Sequence, residues 1–479
     1  MVFSSLAFLC VFLPVVFLLH QAIPGMRGKN LLLIVASLVF YAYGEPIYIL
    51  LMLASTIANW AFALAIGRIG GRAAEAGEER PGAAKLMVAL AVAVNLGLLG
   101  VFKYAAMAVG TVDSLLGLGL QAPGLALPLG ISFYTFQALS YVIDVYRGEV
   151  KAQRNYGKVL LYIAFFPQLV AGPIVKYHDV DAQLGCRHAS LRDIAGGLRR
   201  FCLGLGKKVL IANTMAVAVD SIFGAPLDSV NILVAWLGAV AYALQIYFDF
   251  SGYSDMAIGM ARMFGFTYKE NFKYPYQSTS IREFWRRWHI SLSTWFLEYL
   301  YIPLGGNRRG RARTVANKII VFFLCGLWHG ASWTFVVWGL IQGFFLLLEE
   351  YLPIRRLPKP VGWVYAMLVV TVAFVLFRAD TFAQGGYIIG QMFTGFHFEY
   401  SCMELALRQL TPVFLLALVV GLVAALPVKG ALERWVAAAP ARTAAVAEGL
   451  SYLLALAVLV LCLLGLSNGA YNPFIYFRF

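Results

Sequence analysis

Long apolar runs alternate with short basic patches from one end of the chain to the other. The runs are about 17 to 25 residues long, enough for a helix rising about 1.5 Å per residue to cross a hydrocarbon core about 30 Å thick. Nothing between them has room for a soluble domain. Basic connections belong on the cytoplasmic side. That rule predicts an extracytoplasmic N-terminus, Arg27 and Lys29 inside, residues 44–46 outside, and Arg68, Arg72, Arg80 and Lys85 inside. Arg147, Lys151, Arg154 and Lys158 are then inside again. The first run, LAFLCVFLPVVFLL, has no basic residue before it and no small-residue cleavage site after it, so it reads as a retained helix.

The alternation fails twice. LLYIAFFPQLVAGPI (160–174) has cations on both flanks and is interrupted by Pro167, Gly172 and Pro173, which predicts a re-entrant element. WHISLSTWFLEYLYIPLGG (288–306) lies between Arg282, Arg286, Arg287 and Arg308, Arg309, Arg311, Arg313, and reads as a second re-entrant element or a pair of interfacial helices. Irregular backbone at membrane depth is tolerated only where protein or a watery cavity covers it. The two together predict a central funnel opening from the cytoplasm, a shape that a channel, a transporter or an intramembrane enzyme can share. Farther on, spans are expected at 361–377, 411–427 and 445–467, with an amphipathic outer stretch at 384–410 and an extracytoplasmic C-terminus.

Composition agrees with the pattern: 61% of residues are hydrophobic and 13% charged, against about 25% charged in soluble domains. The fold class is an all-α polytopic membrane protein. A net charge of +14 would point to nucleic acid in a soluble protein, but here the cations sit in membrane loops, so no nucleic-acid partner is expected. Six cysteines without a CxxC pair indicate neither a metal site nor a disulfide framework.

His329 stands out by its depth. It lies eleven residues past Lys318 in VFFLCGLWHGASWTFVVWGLIQGFFLLL, so about 16 Å of helical rise carries it toward the bilayer midplane. Ionisable groups at that depth are costly and mark function or a path. Gly326 and Gly330 permit close backbone approach and a helix break, and Trp328, Trp333 and Trp338 can wall a pocket. The bland alternative is a neutral ring satisfied by helix carbonyls. His289, in FWRRWHISLS, is placed at the cytoplasmic lip, where it either contacts a phosphate-bearing donor or satisfies local structure. Asp249 and Asp255 straddle a Ser-Gly kink in DFSGYSDMAIG and read as a cap, hinge or polar lining. LGLGKK (203–208) has the wrong spacing for a phosphate loop, and there is no GxSxG or HExxH motif.

The block from 249 to 310, followed by GLWHGASWTFVVWG (326–339), with FFPQLVAGPI and FRADTFAQ elsewhere, resembles the bacterial membrane-bound O-acyltransferases of cell-envelope polymers, most nearly the branch that acetylates alginate. The likeness covers most of the chain. It implies one integral-membrane domain over 1–479, a catalytic core at 250–350, His329 as the catalytic histidine and His289 in a supporting role near the donor. It also implies a cytoplasmic acyl thioester such as acetyl-CoA as donor substrate, no permanently bound cofactor, the bacterial inner membrane and its lipid as surroundings, and an SGNH-type extracytoplasmic acetyltransferase as partner. Leu297 and Glu298 depart from the Arg-Asp pair expected before YLYIPLGG: the acid is kept in kind and the cation is missing.

The chain ends NPFIYFRF. This resembles the C-terminal motif of the small membrane partner in teichoic-acid D-alanylation, and so implies an acyl-relay tail at 468–479. Tyr476 would accept the acyl group, Phe474, Phe477 and Phe479 would dock, and Arg478 would hold the tail or its partner. An aromatic belt at the outer interface is the plainer alternative. The expected activity is O-acetylation of an extracytoplasmic polysaccharide such as alginate, with peptidoglycan or cellulose as other acceptors. A transporter with His329 as a proton site is the alternative from another class, although no internal repeat supports it.

Overall fold

The computed structural model describes residues 2–75, 82–170 and 172–469. Arg80 and the tail positions Phe474, Tyr476, Phe477, Arg478 and Phe479 lie outside them. The described residues form helices and no strand. Among the described residues, seven helices are long and apolar enough to cross a membrane, or eight if Tyr400–Gln409 and Pro412–Ala424, bent by 69°, count as one span. The protein is an all-α polytopic membrane protein. Helices Lys359–Arg378, Pro412–Ala424 and Ala441–Ser467 fall on the three late spans expected from the apolar pattern. Ala441–Ser467 leaves Leu450, Leu453, Leu454 and Leu461 exposed, as a lipid-facing helix does.

The chain folds as two compact units, one of Met1–Leu198 and Ala257–Lys269, the other of Arg199–Met256 and Glu270–Phe479. In the first, helix Ile131–Arg147 is the core element, buried at every position from 131 to 142. Its N-cap Gly130 has φ of 75°, and a Cβ there would lie 2.6 Å from the Leu169 carbonyl oxygen, so glycine is required on both counts. The expected re-entrant segment is irregular in the predicted place: helix Tyr156–Ala164 stops at Phe165, and a four-residue helix, Phe166–Leu169, follows. All residues from 159 to 170 are buried, which satisfies the demand that such backbone be covered. Phe8, Phe12, Phe40, Phe166 and Phe264 supply the aromatic packing around it.

In the second unit, Gly204 and Gly252 face each other across two helices. A Cβ on Gly204 would lie 2.8 Å from the Gly252 carbonyl oxygen, and one on Gly252 would lie 2.7 Å from that of Gly204. Small residues let backbones approach in this way inside membranes. Helix Ile232–Met263 runs through Ser251-Gly252 without a break, and Gly252 there serves the close interhelical contact. The adjacent charges are paired along the same contact. Asp249 meets Lys208 at 2.6 Å with both side chains 2% exposed, and Asp255 meets Arg200 at 2.7 Å and Lys207 at 2.6 Å. Both aspartates thus hold two helices together.

Helix Tyr177–Gly185 of the first unit carries the clearest titration-linked contact. His178 Nδ1 lies 2.9 Å from Asp144 Oδ2 and 3.7 Å from Glu149 Oε2, and Nε2 lies 3.4 Å from Asp179 Oδ1. The hydrogen bond to Asp144 raises the imidazole above its ordinary value, against burial and the Lys176 charge. A raised folded value means that the contribution to stability is complete below about pH 6.5 and is lost as pH rises through the folded value. Thermal melting of the full chain in detergent should therefore show a decline above about pH 6.5 that His178→Gln flattens. Equal slopes for the two proteins would refute the assignment.

Candidate active site

Helices Arg311–His329 and Trp333–Tyr351 form a hairpin joined at Gly330, Ala331 and Ser332, with Ser332 Oγ accepting from the Thr334 N–H to start the second helix. Gly326, Gly339 and Gly343 set the distance between them. A Cβ at Gly326 would collide with the Phe335 carbonyl, and one at Gly339 with the Phe322 carbonyl. The two helices pack backbone against backbone, and His329 is the last residue of the first.

The His329 ring is 6% exposed. Trp328 and Trp338 wall it, each with ring centroids at 5.1 Å, and Phe377 stands at 5.3 Å, all in edge geometry. Trp333, at the start of the second helix, is 46% exposed. Phe377 supplies a wall from a third helix. Its helix end is held by Arg378, whose Nη2 lies 2.6 Å from Asp220 Oδ1 and whose guanidinium covers the Phe223 ring at 4.9 Å.

His289 is not at an open lip. It is wholly buried, and its ring lies 6.4 Å from that of His329, 5.8 Å from Trp328 and 4.5 Å from Phe250. The segment around it takes the second of the two forms expected, a pair of short helices. Ile281–Arg287 and Ile290–Phe296 are separated at Trp288-His289, and a π-helical turn, Leu297–Tyr301, follows with Glu298 in it. Ser280 and Glu283 form the N-terminal cap spacing of the first, and buried Glu349 accepts from the Ile281 and Arg282 N–H groups. Trp288 stacks on Phe284 at 5.4 Å, and Trp285 Nε1 donates to Gln342 Oε1 at 3.2 Å, tying the pair to the His329 hairpin.

His289 itself has φ of 42° and ψ of 55°, a left-handed conformation that costs an L-residue about 1–2 kcal/mol. Among the described residues only Tyr274 shares a positive φ without being glycine. Strain of this kind collects at functional positions. The ring caps its own helix, with Nδ1 accepting from the Leu292 N–H at 3.3 Å. A nitrogen that accepts from an N–H carries no proton, so the hydrogen-bond network assigns the proton of the neutral ring to Nε2. Nε2 has no hydrogen-bond partner among the described residues.

Of the positions expected to carry chemistry, the structure unites His289 and His329 and sends Asp249 and Asp255 to ion pairs. Phe250, Phe377 and Gln342 were missed as neighbours. The repeated GxxxG spacing of 326–330 and 339–343 was the available signal for the close hairpin. Two rings at this separation let one reacting group about 3 Å from each touch both. Gly326→Val should push the hairpin apart and lower by about a hundredfold the acyl transfer that the resemblance implies, read with the membrane level of folded protein measured alongside. Unchanged transfer would show that the hairpin distance does not matter.

Residues 151–379 match the model of the MBOAT, membrane-bound O-acyltransferase, family. A probable alginate O-acetylase of Pseudomonas putida is 41% identical, covering 100% of both chains. Its counterpart in Pseudomonas aeruginosa is 45% identical over 79% of this chain and 72% of its own. A peptidoglycan O-acetyltransferase of Helicobacter pylori is 35% identical over 79% of this chain and 77% of its own. With the paired buried histidines and the polytopic helical fold, these likenesses show that the chain belongs to the membrane-bound O-acyltransferase family.

Proposed function

We propose that this membrane O-acyltransferase takes acetyl from a cytoplasmic thioester, acetyl-CoA in the simplest case, and delivers it for O-acetylation of alginate outside the inner membrane. The observation that carries the reading is the pair of buried imidazoles 6.4 Å apart inside an aromatic wall. The choice of polymer follows the relatives, since the alginate O-acetylases match at 41–45% and the peptidoglycan O-acetyltransferase at 35%.

The chemistry runs from the rings outward. His329 takes the proton of the attacking hydroxyl, and the oxygen bonds to the thioester carbonyl carbon. The carbonyl oxygen gains negative charge, which the Nε2–H of His289 meets as a donor already aimed by its capped Nδ1. The C–S bond breaks, and the leaving thiolate takes the proton back from His329. While His329 is cationic it sits at the carbonyl end of its own helix, where the helix dipole favours positive charge. An ester replaces a thioester, and no oxidant or reductant is needed.

The first acceptor in this proposal is Tyr476, whose phenol ester is a more activated donor than an alkyl ester. An SGNH-type partner outside then moves the acetyl to the polymer. Phe474, Phe477 and Phe479 dock the tail, Arg478 holds it or the partner, and both termini are extracytoplasmic. In cells lacking their own membrane O-acetylase, the full chain should restore ester-linked acetate on exported alginate, and His329→Ala should lower it by about 10²–10⁴-fold. Intact mass of the C-terminal peptide should show an acetyl adduct that Tyr476→Phe removes. Acetylation that survives His329→Ala overturns the base; an adduct missing under turnover overturns the relay alone.

A further inference from the structure

We propose that Asn271 is a positioning residue for His289, clamping the left-handed turn that aims the His289 ring toward His329. This rests on the reading that His289 serves the transfer. Asn271 is 1% exposed and lies in the segment ahead of the two short helices. Its backbone carbonyl accepts from the Ile290 N–H at 2.9 Å. Its Oδ1 accepts from the Ser291 N–H at 3.1 Å and the Ser291 Oγ–H at 2.9 Å. Its Nδ2 donates to Ser254 Oγ at 2.9 Å, on helix Ile232–Met263. The next contact along the same irregular segment, the Lys273 N–H to the Arg287 carbonyl at 2.9 Å, closes the other side of the turn.

Three of these bonds fall on Ile290 and Ser291, the two residues that follow His289, and the bond to Ser254 anchors the clamp to a neighbouring helix. The orientation of the amide is fixed by its partners, because the Ser291 N–H can only donate and must face oxygen. An unclamped chain would leave φ of 42° for a negative value, and the ring would swing with the backbone that carries it. Aspartate could still accept from Ser291 and from the Ser254 hydroxyl. Leucine fills the same volume and accepts nothing, so the two substitutions separate clamping from packing.

The test uses the full chain, in cells for acetylation of exported alginate and in detergent for melting. Asn271→Leu should lower acetylation by about tenfold or more, and Asn271→Asp should recover most of it. Asn271→Leu should also lower the melting temperature, and by less than half as much in a His289→Gly background, where glycine removes the strain that the clamp opposes. An equal drop in both backgrounds, or full acetylation by Asn271→Leu, overturns the proposal. Should Asn271→Leu fail to fold, Ser254→Ala loosens the same clamp from its far side and must show the same background dependence, on a smaller scale. Full acetylation by His289→Gly would instead sink the reading that His289 serves the transfer, and this proposal with it.

Discussion

Two helices of the hairpin touch backbone to backbone, and the placement of the reacting group follows from that contact. Where Gly326 meets the Phe335 carbonyl and Gly339 meets the Phe322 carbonyl, no side chain separates the helix axes. Lipid supplies no hydrophobic drive to push helices together, so close packing of small residues has to supply the association. His329 stands one turn beyond Gly326, and Trp338 one residue before Gly339. The ring and its wall are therefore set by the same glycines, and widening the contact would move both.

Charge and chemistry are kept apart within the second unit. Lys208, Arg200 and Lys207 meet Asp249 and Asp255 in ion pairs at 2.6–2.7 Å. An unpaired charge in hydrocarbon is expensive, and a paired one still gains little over an apolar contact. The pairs therefore speak for register between helices more than for stability. The histidine site is built the other way, with Trp328, Trp338, Phe377 and Phe250 as its neighbours. Edge-on rings exclude water and leave few competing donors or acceptors, so a hydrogen bond made to a developing negative charge there is strong.

Spans and the broken segments were legible because hydropathy and basic flanks are local properties of the chain. The burial of His329 was legible from its distance to Lys318 for the same reason. Its contact with His289 was not, since a short helix, a π-helical turn and most of the helix Arg311–His329 intervene, and no period in the sequence carries a contact made through a left-handed turn. The Ser-Gly pair at 251–252 was ambiguous in sequence because glycine has two uses in helices, as a bend and as a place of close approach. Only the carbonyl of Gly204 on the facing helix decides between them. Phe377 could not be read into the wall, because it arrives from a helix far along the chain.

The two histidines are held by opposite means, and this bears on their separate roles. His329 ends a regular helix and takes its position from packing on both sides of a hairpin. His289 spends one nitrogen on the Leu292 N–H and accepts an unfavourable backbone conformation to do so. A ring committed in that way is a poor base, because the lone pair that would take a proton already accepts the Leu292 N–H hydrogen bond. It is a good fixed donor, with the direction of its Nε2–H settled before a substrate arrives. In the proposed reaction, His329 as base and His289 as rigid donor would divide the labour of acyl transfer between two bulky partners.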